Sequence, residues 1–213
     1  MLDVHPPHRP THTWKDFFIH IATIVVGLFI AVGLEQVVEY FHHREQAHRL
    51  EESLNREIDR NLVIYGDEKV LMERVHQVEE QNKASLNSAL SSNGKIAFAY
   101  IDFDPILTWH APTNETWAQA RDNGTLSLLP ESRASYYSNV NFSYETTIAV
   151  SHQLFDARYH VLALVHLHPS PAQFIPSEER DLLLAISTYE QTADHAHAVI
   201  SKSEITLHLN GQR

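Results

Sequence analysis

Histidine is the residue type whose abundance and spacing invite chemistry: the chain has 16 among 213 residues. They gather as His5/His8/His12, His42/His43/His48, His152/His160/His166/His168 and His195/His197/His208. Neutral imidazole together with carboxylate suits zinc, copper or nickel. His152, Asp156 and His160 follow i, i+4, i+8, a spacing that puts all three on one helical face, and they are the candidate metal set. His195 and His197 are two apart and diverge on a helix. His166 and His168 converge only where the chain is already extended before Pro169. A histidine-rich surface without a ligand accounts for the same residues, and a pH response through imidazole is a third reading.

Other chemical patterns are thin. Ser92-Asn93-Gly94-Lys95 fits S-x-x-K without the companion elements of that serine-acylase set. Asp102-Phe103-Asp104 is a bare D-x-D, and Asn114, Asn123 and Asn141 open formal glycosylation sequons. G-x-S-x-G, H-E-x-x-H, P-loop and dinucleotide patterns are absent from the sequence. There is no cysteine, which removes disulfide scaffolds, thiolate metal sites and thiol catalysis. Lys plus Arg number 16 against 27 Asp plus Glu, a net charge of −11, and such a balance argues against a nucleic-acid partner. The expectation is a protein without catalytic residues and without a cofactor.

The strongest positional signal is apolar. Phe17 to Leu34 contains one ionisable residue, His20. At about 1.5 Å per residue, Trp14 to Gln36 matches a hydrocarbon core of roughly 30 Å. Trp14 and Lys15 flank one end, and Tyr40, Phe41 and Arg44 the other, in the manner of interfacial anchors. A cleaved signal peptide is the rival reading, but the run is long and no small-residue cleavage site follows it. Lys and Arg on the two flanks do not decide orientation. The expectation carried forward is a cytoplasmic N-terminus with the large acidic part outside.

Thr23, Gly27, Ala31, Glu35 and Glu39 recur every four residues on this helix. Small residues in steps of four let two helices approach closely, so the face reads as a seam for a homodimer or a partner helix. Ordinary membrane-helix composition with two hydrated glutamates explains it equally simply.

Beyond the apolar run, His42 to Ser92 has no proline, and Leu50, Leu54, Ile58, Leu62, Tyr65, Met72, Val75, Leu86 and Leu90 recur at helical spacing. This predicts a long amphipathic helix ended by Asn93-Gly94. Glu45–Arg49 and Glu52–Arg56 are i,i+4 pairs on its solvated side. Lys95 to Phe103 reads as a packed loop or short edge piece. Thr113 is placed to cap a short helix, Pro130-Glu131 opens a second long helix reaching about Leu167, and Ser177 caps a last one from Glu178 to about Ser203.

The stretch from Trp117 through Ala120, Gly124 and Leu126 to Leu129, with the apolar run IVVGLFIAVGLEQ and the Tyr-rich helix from Ala134 to Tyr144, resembles uncharacterised bacterial single-pass membrane proteins grouped as domains of unknown function. The resemblance covers most of the chain. It implies a membrane anchor with a helical domain outside the cytoplasm, and it carries over no catalytic residue. Read from the residues, the patch is structural: Trp117 anchors the short helix, Gly124 takes a positive φ, and Leu126 and Leu129 pin the turn to the core. A partner-docking surface around Trp109 and Trp117 is the alternative.

The expected fold is therefore all-α: a single transmembrane helix continuing into a long amphipathic helix, packed in a small antiparallel helical bundle. The segments are a polar tail (1–13), the membrane helix with its flank (14–41), the bundle (42–206) and a frayed end (207–213). The expected function is a membrane-anchored interaction or scaffold module whose partners are the bilayer and a second helix. The alternative is a His-rich, ligand- or metal-binding anchored domain.

Overall fold

The computed structural model describes residues 14–93, 95–167 and 175–211. Among these residues the protein is all-helical, without strands. The four α-helices are α1 (Trp14–Ser91), α2 (Glu115–Asp122), α3 (Glu131–Val165) and α4 (Pro176–Gly211), with 3-10 turns at Pro105–Leu107 and Thr125–Leu128. Residues 1–13, with His5, His8 and His12, lie outside the described residues, as do Gly94, His168, Pro169 and Pro171. By contacts the chain divides into two units, Met1–His48 and Arg49–Arg213.

In the first unit, α1 carries an 18-residue window of mean hydropathy 2.5, none of it buried. It is the one helix among the described residues long and apolar enough to cross a membrane. The Phe17 ring meets those of Trp14 and Phe18 edge to face at its start, and the Tyr40 and Phe41 rings lie 5.7 Å apart just past the apolar run.

In the second unit, α1 buries Leu54, Ile58, Tyr65, Met72, Val75, Val78, Leu86 and Ala89. Spacings of three, four and seven keep these residues on one face. Each large apolar side chain so covered contributes about 1.5–3 kcal/mol. The Tyr65 ring stacks on Tyr144 of α3 at 6.2 Å, and its hydroxyl meets Thr147.

Helix directions follow from side-chain pairing. Arg133 reaches Glu51, Tyr137 reaches Asn55, and Thr147 meets Tyr65, each pair 82 residues apart. A constant difference means that α3 runs parallel to α1. Lys69 pairs with Glu204 and Lys83 with Glu190, so numbers rise on α1 as they fall on α4, and those two are antiparallel. The antiparallel neighbours expected in the bundle are thus α3 with α4 and α4 with α1. The parallel pair arises because residues 92–130 travel back along α1 before α3 begins.

Several boundaries move. The left-handed residue seen after α1 is Asn93, at φ 52°. The N-cap of α2 is Asn114 rather than Thr113, and no side chain closes that cap. Pro130 is the N-cap of α3 rather than a first-turn residue. Helix α4 runs to Gly211 with Leu207 buried, past residue 206, where periodicity alone ended the bundle. On α3, Tyr159 is exposed, while its neighbour Arg158 is buried. Burial of that guanidinium is sustained by Asp102 at 3.1 Å, Asp104 at 3.5 Å and the Phe103 carbonyl at 3.4 Å.

Candidate functional site

The candidate metal face of α3 is open. His152, Asp156 and His160 are all exposed. They share a helix face, and no ligand from another helix converges on them among the described residues. The same holds for the small-residue face of α1. Thr23, Gly27, Ala31, Glu35 and Glu39 are exposed, and a Cβ placed on Gly27 would meet nothing within 4 Å. The Thr23 hydroxyl donates to the Ile19 carbonyl of its own helix at 2.9 Å, and Glu39 approaches His43 at 3.8 Å.

The Trp117 patch is partly covered. Gly124 sits at φ 77°, Leu129 is buried, and Leu126 and Trp117 are half-buried. Trp117 lines a small cavity with Leu54, Ile58, Tyr137 and Val140, where α2 covers the packing of α1 on α3.

Two polar arrangements were not legible in the sequence. The first lies along α1, where Glu57, Asn61, Glu68, Glu79 and Asn82 are buried among apolar neighbours. A buried polar group is costly unless it is hydrogen-bonded. The returning connection supplies the bonds. Asn82 donates to the Ile101 carbonyl (3.0 Å) and accepts from the Ile101 amide (2.7 Å). Asn61 does the same to Thr113, at 2.7 and 3.0 Å. Glu68 accepts from the His110 amide at 2.7 Å and Glu57 from the Thr116 amide at 3.1 Å. The backbone polar groups that an extended segment would otherwise leave unpaired are satisfied by helix side chains instead.

Burial raises the Glu68 carboxyl to about 7, against the smaller opposing effect of the His110 amide. Burial likewise raises Glu79 to about 7, opposed by the hydrogen bond from Asn82. One oxygen of each, Glu68 Oε2 and Glu79 Oε2, is buried without a hydrogen-bond partner, as is the Tyr189 hydroxyl. The polar end of the bundle, where Glu79, Asp102, Arg158 and Tyr189 gather, also holds the Tyr189 and Tyr100 hydroxyls well above their ordinary range, chiefly through burial.

The second arrangement is the α1–α4 seam. Its rungs are Lys69–Glu204 (3.3 Å), His197–Glu73 (3.7 Å), His76–Asp194 (3.0 Å) and Lys83–Glu190. Among the described residues, one group of ligand-type side chains converges here: single atoms of His76, Glu80 and Glu190 lie within 4.8 Å of one another. His76 and Glu80 are one turn apart on α1, as Glu190 and Asp194 are on α4. Each i,i+4 pair is visible in the sequence; that the two face each other depends on helix register, which no local pattern encodes.

Comparison with protein-family models, curated proteins and solved structures finds no match to this chain.

Proposed function

We propose that this chain is a membrane-anchored helical module that presents its bundle at a bilayer surface and acts by holding a partner, without catalysis. The observation that supports it most is α1 itself: one uninterrupted helix begins with a wholly exposed apolar span and continues into the buried face of a folded unit. An apolar stretch of this length left in water would be a severe liability, and lipid relieves it. The Thr23/Gly27/Ala31 face, carried on to Glu35 and Glu39, is the proposed seam for a second copy or a partner helix. The placement proposed is a bacterial inner membrane crossed once, with the bundle outside the cytoplasm, in keeping with the layout resemblance noted from the sequence.

The test is fractionation of the full chain against residues 42–213. Membrane retention of the full chain after alkaline carbonate, with the shorter chain soluble, is the expected result. A full chain recovered in the soluble fraction would refute the anchor. Protease access from one side of sealed vesicles then assigns the orientation.

A further inference from the structure

The α1–α4 seam carries an inference independent of the anchor. We propose that His76, Glu80 and Glu190 bind one divalent transition-metal ion, of the zinc class, with Asp194 positioning the imidazole.

Three observations combine. The ligand atoms already converge within 4.8 Å, from two helices rather than one. Two ligands of one tetrahedral zinc, each bound at about 2.0–2.1 Å, stand roughly 3.4 Å apart. His76 Nε2 is 3.6 Å from Glu80 Oε1, so an ion between them needs little rearrangement.

The third observation concerns the other ring nitrogen. His76 Nδ1 lies 3.0 Å from Asp194 Oδ1. The two are not aligned as a hydrogen bond, and Nδ1 is otherwise buried without a partner. A small ring rotation makes the bond. A metal-bound histidine ordinarily donates its second N–H to a carboxylate, which fixes the tautomer and turns the free lone pair to the metal. Asp194 stands where that carboxylate belongs, and the lone pair then falls on Nε2, the nitrogen facing Glu80. An imidazole with two carboxylates suits zinc and leaves a fourth position for water.

Glu190 is the buried member, and its Oε2 already holds the Lys83 ammonium. Oε1 remains for the ion. Lys83 therefore competes electrostatically with the metal, and this sets a second, opposite expectation for its removal.

The experiment uses the full chain in mild detergent with His5, His8 and His12 changed to Ala, so that the tail does not chelate. Zinc alone is titrated calorimetrically, and cobalt is substituted to read its visible spectrum. Expected are one zinc per chain, a rise in the thermal midpoint with zinc, and a tetrahedral-type cobalt band. His76→Ala and Glu80→Gln should each weaken zinc at least tenfold, and Asp194→Asn several-fold with the cobalt band altered. Lys83→Gln should tighten zinc several-fold, and His152→Ala should change nothing. Circular dichroism of each variant without metal checks its fold. No saturable zinc binding, or binding undiminished in folded His76→Ala, would overturn the site. So would zinc binding lost in His152→Ala, or a Lys83→Gln variant that loses stability and gains no affinity.

Discussion

Asn61 grips Thr113 with both ends of its side-chain amide, donating to the carbonyl at 2.7 Å and accepting from the amide at 3.0 Å. Asn82 repeats this on Ile101. A helix side chain thus plays the part a neighbouring strand plays in a sheet, and the backbone at Thr113 and Ile101 is held without a strand among the described residues.

Removing the grip should be expensive. Asn61→Ala and Asn82→Ala each remove two hydrogen bonds to the backbone of exposed residues, Thr113 and Ile101, where water can take their place, at about 0.5–1.5 kcal/mol for each bond lost. Urea unfolding should show a drop of that order, and amide exchange at Thr113 or Ile101 should quicken locally. Asn→Asp at either site keeps the acceptor and loses the donor, so it should fall between Ala and the native residue.

Glu68 predicts a pH slope. Its carboxyl is raised to about 7 in the folded chain from an ordinary 4.5, so the folded state holds the proton more tightly. Its contribution to stability is full below the unfolded value and is lost as pH rises through about 7. The groups facing it are His110, which lowers the shift, and Asp67, which adds to it. Glu68→Gln keeps an acceptor for the His110 amide and removes the titration. The unfolding free energy of the native chain should fall more steeply between pH 5 and 8 than that of the variant, by up to the order of 3 kcal/mol. Parallel slopes for the two would contradict the assignment.

Arg158 gathers Asp102, Asp104 and the Phe103 carbonyl from inside α3. Arg158→Met keeps the apolar stem and abandons all three acceptors. Because both aspartates retain solvent access, the expected loss is about 1–3 kcal/mol, less than for a fully enclosed pair. Arg158→Lys should recover little of it, since one ammonium does not span the fork. Recovery to native stability in the lysine variant would show that charge alone suffices.

Gly27→Leu tests the proposed membrane seam. A bulky side chain in the middle of the small-residue face should convert a detergent dimer to monomer by light scattering, while Leu28→Ala, away from that face, should not. A native chain already monomeric in every mild detergent would remove the seam from consideration.

The apolar grammar of the chain was readable because it is local. Leu54, Ile58, Tyr65 and Met72 announce the buried face of α1 by spacing alone, and Gly124 announces its positive φ within a short Asn-Gly turn. The polar half was not readable. Asn61 and Asn82 look like interruptions of an apolar stripe until the connection is laid against them. Arg158 looks like a surface residue beside Tyr159 until Asp102 arrives from 56 residues away. The histidine pattern of α3 was locally well formed and yet faces outward, whereas His76 has only Glu80 beside it on its own helix and acquires Glu190 and Asp194 from α4. Periodicity reports which face of a helix is covered, and it is silent on what covers it.

The parallel course of α1 and α3 has a consequence for how the chain reaches its fold. Every α1–α3 contact that set their register spans 82 residues, whereas α3 and α4 are joined by a short link. Closing a long loop costs entropy before any distant contact repays it. The α3–α4 hairpin should therefore form first and act as the template on which α1 and its returning connection settle. During synthesis α1 emerges well before its template exists. The glutamates and asparagines that later grip the connection make its future inner face compatible with water until that template exists. Pulsed hydrogen exchange during refolding should find α3 and α4 amides protected ahead of those in 54–89.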